Sequence, residues 1–235
     1  MKFKIMVMFC IITTTAYFFF TQQKKKSLFA CHKIKAHFDQ RFSVLFRTAI
    51  NNFLEEQQKI STPSYLLAEI IKDQFCVVES VKIFTFPDKN ISVSMTAQDP
   101  VVILNHAKLL TKAGNIVESN LFTAECLALV PMVSVKQEEG AVSLPFRRFM
   151  SRYAQQLCKD YHVTWHDPTH IELQDKQNQY VILASDQTVF SQDLIKHCQV
   201  LKEKIKTVPG KKQAWWFDVR FKNQIILFNQ KGERV

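Results

Sequence analysis

Residues 81–96 have the sequence VKIFTFPDKNISVSMT. The β-branched and aromatic residues over 81–86 are typical of a strand, and the Pro-Asp-Lys-Asn run at 87–90 is typical of a turn. Residues 91–96 then alternate strictly between apolar and hydroxyl side chains, which is the period of a strand with one buried face. The stretch therefore predicts a β-hairpin.

Two helices are predicted before this hairpin. Residues 33–59 carry apolar side chains at helical spacing, including Phe46, Ile50 and Phe53. In the second helix, Thr62 is placed to cap the first turn and Pro63 suits that turn. The order helix, helix, strand, strand mixes both element types in one half of the chain.

The same mixture continues downstream. A strand is predicted at 101–104, a turn follows around Gly114, and Ser143 with Pro145 opens another helix. The remaining predicted elements are strands at 163–165, 171–173, 180–183 and 189–190, a helix at 193–206, and strands at 215–221 and 224–228. The sequence therefore predicts an α+β fold with a mainly antiparallel sheet.

The N-terminus has the pattern of a membrane anchor. Residues 5–20 are apolar apart from three threonines, and Thr21 extends them to about 17 residues, the lower limit for a spanning helix. A cleaved signal peptide is the alternative, but aromatic rather than small residues end the apolar run. We predict a cytoplasmic head at 1–4, an uncleaved transmembrane helix at 5–21, and an exported body.

The composition argues against several functions. All four glycines are isolated, which excludes a Gly-rich phosphate loop, and the six cysteines form no C-x-x-C pair. No serine lies in a G-x-S-x-G motif. The net charge of +10 comes from the two ends, because residues 36–201 carry a net charge of −3. A nucleic-acid partner would favour positive charge across the folded body, so none is predicted.

The histidines His162, His166 and His170 are the strongest candidate metal ligands, since their spacing would place them on one face of a helix. The residues around them favour a strand and a turn instead, and in an extended chain the spacing is too long for three ligands of one ion. The sequence therefore predicts surface histidines and no metal site. Cys158 is predicted to be a core cysteine rather than a nucleophile, and no catalytic or cofactor-binding residue is predicted.

The last two predicted strands are strongly apolar. Trp215 and Phe217 share one face of the first strand, while Trp216 and Asp218 share the other. A terminal apolar strand such as 224–228 is often a sheet edge whose unpaired backbone can accept an incoming strand. A strand paired on both sides is the alternative, and the sequence leaves both open.

Three stretches carry a family resemblance. Residues 78–104 read VESVKIFTFPDKNISVSMTAQDPVVIL, residues 110–117 read LTKAGNIV, and residues 217–227 read FDVRFKNQIIL. In order and spacing they resemble the bacterial cell-division family FtsQ, called DivIB in Gram-positive bacteria, whose ending follows the pattern I-D-L-R-F/Y-x-N-x-x-x-V. The residues that match this ending are Asp218, Arg220, Phe221 and Asn223.

The resemblance implies a domain organisation. A juxtamembrane helix and a POTRA-like domain would occupy residues 22–99, a mixed α/β domain of the FtsQ type, known as the β domain, would occupy 100–229, and 230–235 would form a tail. POTRA domains of the family begin with a β-strand, whereas residues 33–59 are predicted to be helical.

The resemblance also implies a function. Members are non-enzymatic scaffolds of the inner membrane with their bulk in the periplasm, and at the division septum they bind FtsB and FtsL and help control septal peptidoglycan synthesis. Carried over, the partner would add a strand along the edge formed by Gln224, Ile225, Ile226, Leu227 and Phe228. The helix beside that edge would contribute Leu194, Lys196, His197, Val200 and Lys204. Another single-pass envelope protein with a POTRA domain, serving assembly or secretion, is the alternative.

Overall fold

The computed structural model describes residues 33–60, 62–105, 107–137, 142–177, 180–190, 193–205, 215–221 and 224–229. The chain divides into two units, the first ending at Ala97 and the second beginning at Gln98. The predicted head at 1–4 and transmembrane helix at 5–21 lie outside the described residues. Within the described ranges, no helix combines the length and the apolar character needed to cross a membrane.

A three-stranded sheet and two helices form the first unit. Its elements in chain order are β1 (Ile34–Phe38), α1 (Val44–Lys59), α2 (Ser64–Gln74), β2 (Val78–Thr85) and β3 (Ile91–Ala97). β3 is the central strand, with β1 parallel to it on one side and β2 antiparallel on the other. Apolar side chains of both helices and of β3 make up the core of this unit.

The predicted hairpin of residues 81–96 is confirmed. In β3, Ile91, Val93 and Met95 are buried, and the hydroxyl residues between them are half-buried on the other face. In the turn, the Asp88 carboxylate accepts a hydrogen bond from the backbone N–H of Asn90 at 3.1 Å. The alternation of the sequence therefore sets which face of β3 enters the core.

The helix predicted over residues 33–59 is wrong at its beginning. Ile34–Phe38 form β1, and the helix starts only after Ser43, whose side chain accepts a hydrogen bond from the backbone N–H of Phe46. In β1, half-buried apolar residues alternate with exposed polar ones. The strand is held by parallel pairing with β3, which is distant in sequence, so helical spacing in a local window could not reveal it.

The predicted cap of α2 is also wrong. Pro63 occupies the cap position and makes no side-chain hydrogen bond to the helix. The Thr62 hydroxyl instead donates a hydrogen bond to Oε1 of Gln57 at 2.6 Å, which ties the end of α1 to the following connection.

An aspartate–arginine pair joins the ends of two strands in this unit. Arg41 Nε donates to Oδ1 of Asp39 at 3.1 Å, and Arg41 Nη2 donates to Oδ2 at 2.7 Å. Nη2 also donates to the Ala97 carbonyl at 2.7 Å, while Asp39 Oδ2 accepts from the Ala97 N–H at 3.2 Å. The side-chain hydrogen bond from Arg41 is the main reason that the pKa of Asp39 is lowered to about 2.

We expect Asp39→Asn to lower the free energy of unfolding by about 1–2 kcal/mol near neutral pH, because charge-assisted hydrogen bonds are lost. Since the folded-state pKa is depressed, this stabilisation is present above the ordinary Asp pKa of 3.8 and is lost as the pH falls towards about 2. Urea unfolding of the full-length wild type and variant should therefore converge between about pH 6 and about pH 2.

Asp73→Asn, on the exposed last turn of α2, is the matched control and should leave the pH dependence unchanged. A constant difference in stability between wild type and Asp39→Asn across the whole pH range would contradict the prediction.

A nine-stranded sheet is the centre of the second unit. Its strands are β4 (Pro100–Leu104), β5 (Lys108–Thr111), β6 (Ile116–Glu118), β7 (Met132–Val135), β8 (Tyr161–Asp167), β9 (His170–Asp175), β10 (Tyr180–Ala184), β11 (Trp215–Asp218) and β12 (Ile226–Asn229). Its helices are a 3₁₀ turn (Ser119–Leu121), α3 (Ala124–Leu127), α4 (Leu144–Asp160), α5 (Asp186–Phe190) and α6 (Asp193–Ile205). The strand order is β12-β11-β10-β9-β8-β7-β4-β5-β6. Five of the eight neighbouring pairs are antiparallel, and the predicted α+β class is confirmed.

The strand predicted at 189–190 is wrong, because these residues end helix α5. β10 and β11 pair in parallel, so the chain must cross over between them, and α5 with α6 forms this crossover. Val189 is buried in the core of the unit. The crossover and the burial of Val189 override the local β propensity.

The core lies between the helices and one face of this sheet. As predicted, Ser143 caps α4 by accepting a hydrogen bond from the backbone N–H of Phe146, with Pro145 in the first turn. The Phe146 ring lies 6.4 Å from that of Trp165, the largest fully buried side chain. One side of α6 is buried here too, through Leu194, Cys198 and Leu201.

Side chains alternate across the C-terminal part of the sheet. Val163, Leu173, Ile182 and Phe217 lie opposite one another on β8 to β11 and enter the core. The alternate positions form a second row on the face away from the core, which we call the outer face. This row consists of Thr164, Glu172, Leu183, Asp218 and Ile226.

Candidate functional site

β12 forms one end of the nine-stranded sheet. It pairs in antiparallel with β11, and among the described residues no strand pairs along its other side. Of the two possibilities that the sequence left open, the described chain therefore has the edge strand. Backbone N–H and C=O groups along such an edge can hydrogen-bond to another strand.

Of the five residues predicted to form the edge, two precede β12 and three lie within it. Gln224 and Ile225 precede the strand and are exposed, Ile225 with 42% of its surface accessible. The other three lie within the strand and are half-buried. A partner strand that pairs along β12 would therefore also meet the exposed Ile225 side chain.

β12 is held on the sheet by apolar contacts on both faces. Leu227 packs against the core of the unit. Ile226 and Phe228 lie on the outer face, where the Phe228 ring stacks on that of Trp216 with centroids 6.1 Å apart. These contacts anchor the strand without using its outward backbone groups.

The residues predicted on the flanking helix differ in exposure. Leu194 is fully buried in the core, so it belongs to the packing of α6 and not to an exposed flank. Lys196 and Val200 are exposed. The side chains of His197 and Lys204 lie outside the described part of α6.

A second aspartate–arginine pair lies at the C-terminal end of β11. Only 4% of Asp218 is exposed, and Arg220 Nε and Nη2 donate to its two carboxylate oxygens at 2.9 and 2.6 Å. Burial alone would raise the pKa of Asp218, but the hydrogen bonds and charge of Arg220 lower it below the ordinary value. Of the other two residues in the matching ending, Phe221 is exposed and Asn223 lies outside the described chain.

Arg220→Ala is expected to lower the free energy of unfolding by about 2 kcal/mol, because it leaves the buried Asp218 carboxylate without its cation. The cost stays below the roughly 3–5 kcal/mol of a fully buried pair, since Arg220 is partly exposed. Chemical unfolding of the full-length protein measures it. Asp218→Asn combined with Arg220→Ala should recover part of the loss.

Arg152→Ala on the exposed face of α4 is the control for the loss of one surface arginine. Equal stability of Arg220→Ala and Arg152→Ala would show that the pair does not stabilise the unit.

The β8–β9 hairpin brings two of the three candidate histidines together. The rings of His166 and His170 stack with centroids 4.3 Å apart and an interplanar angle of 12°. Oε1 of Glu172 lies 3.2 Å from Nε2 of His166 and 2.8 Å from Nε2 of His170. His162 is exposed and is not part of this group. The structure therefore brings His166 and His170 together and leaves His162 apart, so the three histidines do not share one site.

The sequence analysis predicted the strand and the turn but judged the histidine spacing as if the chain were extended, and it therefore missed Glu172. Asp167-Pro168-Thr169 turns the chain between two strands, so residues on both sides of the turn share a face. Trp165 enters the core, which leaves His166 on the outer face with His170 and Glu172. A tight turn flanked by two alternating segments was the available signal.

The buried cysteines are unsuited to nucleophilic chemistry. Burial raises the pKa of Cys158 to about 11 and that of Cys198 to about 12. Because the thiolate is the reactive form, both side chains stay protonated at neutral pH. The prediction that Cys158 is a core residue is confirmed.

Neither a comparison with protein-family models nor a comparison with curated proteins finds a match to this chain. The resemblance to the FtsQ family therefore stays a prediction based on motif order and spacing.

Proposed function

We propose that this protein is a membrane-anchored scaffold of the bacterial division machinery. It binds FtsB- and FtsL-like single-pass proteins and helps control septal peptidoglycan synthesis, without enzymatic activity of its own. The observation that carries the proposal is the edge of β12, which pairs with β11 alone among the described strands and lies where the resemblance places the partner.

The element order of the first unit supports the proposal. The unit begins with β1 and continues with two helices and two strands. The family resemblance implies a POTRA-like domain that begins with a strand, and the helix predicted over 33–59 had conflicted with it. β1 removes this conflict.

The position of the ending motif is also consistent with the proposal. Asp218 is the last residue of β11, and Arg220 follows it before the chain enters β12. Their paired hydrogen bonds fix the backbone where the chain leaves β11. Asp218 and Arg220, two of the residues that match the family ending, thus lie beside the proposed edge.

In strand addition, backbone hydrogen bonds supply affinity and side chains supply selectivity. Hydrogen bonds along β12 would hold the partner strand, and nearby side chains would select its sequence. Lys196 is exposed on α6, and residues 202–212 contain five lysines and one glutamate. This charge favours a partner whose segment beside the added strand is acidic.

Membrane anchoring would assist this contact. A transmembrane helix at residues 5–21 would confine the body to the periplasmic surface of the inner membrane, where single-pass partners also lie. Tethering both proteins to one membrane raises their effective concentration, so a short added strand is enough for stable association.

The test is photo-crosslinking from a benzophenone side chain placed at Ile225 in the full-length tagged protein, followed by purification from detergent-solubilised membranes and mass spectrometry. We expect a crosslink to a small single-pass protein with a coiled-coil segment, since Ile225 is exposed beside the edge. The same side chain at Leu129 is the control. Leu129 is 90% exposed and precedes β7, five strands from β12.

Equal crosslinking from Ile225 and Leu129 would contradict the proposed surface. Recovery of an outer-membrane assembly or secretion component in place of division proteins would favour the other single-pass envelope function.

Ile226→Pro is expected to weaken partner binding at least about tenfold, because proline removes a backbone donor and distorts an edge strand. Co-purification with the crosslinked partner measures the loss, and circular dichroism checks the fold. Phe84→Pro, in the edge strand β2 of the first unit, is the matched control and should leave partner recovery unchanged. Native partner recovery by a folded Ile226→Pro variant would exclude strand addition at β12.

A further inference from the structure

Three potential metal ligands converge on the outer face of the second unit. Nitrogen atoms of His166 and His170 and a carboxylate oxygen of Glu172 all lie within 4.8 Å of one another. Each of the three side chains is half-buried, so the group is shielded but open to solvent on one side. This group is separate from the proposed partner edge, and we call it the histidine cluster.

The electrostatics of the histidine cluster favour a cation. Both Nε2 atoms approach the same Glu172 oxygen, yet neither is aligned with it as a hydrogen bond, and both are shielded from solvent. When both Nε2 atoms are unprotonated, their lone pairs and the Glu172 oxygen at 3.2 and 2.8 Å repel one another unless positive charge lies between them. A proton on either nitrogen or a bound metal ion supplies that charge.

We propose that His166, His170 and Glu172 bind a first-row divalent transition-metal ion, with Zn²⁺ as the best fit. Two imidazoles and one carboxylate form a ligand set that Zn²⁺ accepts, with bonds of about 2.0–2.2 Å. Ligand atoms around a tetrahedral ion of that size lie about 3.3 Å apart. The distances of 3.2 and 2.8 Å from Glu172 to the two histidines are close to this value.

The hairpin fixes the backbone of the ligand residues without the ion, and the stacked imidazole rings must turn about their side-chain bonds for both Nε2 lone pairs to point at one ion. Asp167 Oδ1 accepts hydrogen bonds from the backbone N–H and the hydroxyl of Thr169, each at 2.7 Å, which fixes the turn between the two histidines. The backbone N–H of Asp186 donates to the Pro168 carbonyl at 2.8 Å and ties the turn to α5. The strand register shifts between Trp165 and Asp167, so His166 lies at an irregularity of the β8–β9 ladder.

Three protein ligands leave one position of a tetrahedral ion open for water or another ligand. The site lies on β8 and β9, so Glu172 is three strands away from β12, or about 14 Å at the usual strand spacing. Metal binding and partner binding can therefore succeed or fail independently.

Full-length protein is stripped of metal with a chelator, dialysed against ZnCl₂ and analysed for bound metal by elemental analysis. We expect one Zn²⁺ per chain. In the Co²⁺-loaded protein, visible absorption bands should report the nitrogen and oxygen ligands. His166→Asn, His170→Asn and Glu172→Gln should each weaken Zn²⁺ binding at least about tenfold, since even residues that only support a ligand are worth roughly 10- to 100-fold.

His162→Asn is the matched control, because His162 lies on the same strand and face but outside the histidine cluster. It should retain wild-type Zn²⁺ binding and the Co²⁺ spectrum. The proposal is overturned if wild-type protein binds no stoichiometric Zn²⁺, or if the three cluster variants bind it as tightly as His162→Asn. Circular dichroism of each variant confirms that any loss is not caused by unfolding.

Discussion

The parallel pairing of β10 with β11 determines the organisation of the second unit. Parallel neighbours cannot be joined by a tight turn, so the chain crosses the sheet through α5 and α6 and returns to the same edge. That crossover covers one face with Val189, Leu194 and Cys198, which completes the core begun by α4. It also places the β11–β12 hairpin outermost, so the proposed partner edge depends on the same pairing.

Short-range patterns predicted much of this fold, and long-range pairings account for the errors. The alternation of residues 91–96 and the Ser143 cap involve neighbours within a few residues, and both appear in the structure. The parallel strand β1 and the helix at 189–190 depend on partners far along the chain, and both were predicted incorrectly. The same distinction applies to the proposed partner edge. The sequence shows that β12 is apolar, but the position of β12 at the end of the sheet depends on the pairing of all the other strands.

The histidine cluster shows how a turn changes the meaning of a spacing. On a helix, two histidines four residues apart lie on one face. In a straight strand, the same two histidines are too far apart to bind one metal ion. In a hairpin, the same separation places His166 and His170 side by side. Glu172 joins them because residues two apart on a strand share a face. The arrangement of the histidine cluster was therefore encoded in the turn between the strands and not in the histidine spacing alone.

The same three-residue motif, aspartate-x-arginine, occurs at the end of a strand in both units. In each, arginine Nε and Nη2 donate to the two oxygens of the aspartate two residues earlier. In this motif the arginine neutralises a carboxylate that would otherwise be costly to bury, and the backbone turns at a defined residue. Its first copy joins β1 to the end of β3, and its second leads the chain towards β12.

The sheet also constrains how the chain is made. About 30 residues separate the end of β10 from the start of β11, so during synthesis the edge of β10 leaves the ribosome well before its neighbour. At about 5–20 residues per second, that edge stays open for roughly 1.5 to 6 seconds. In this interval Ile182 and Leu183 pair with β9 on one side and have no strand along the other side to protect them from aggregation. A product truncated within the crossover would keep this aggregation-prone edge permanently.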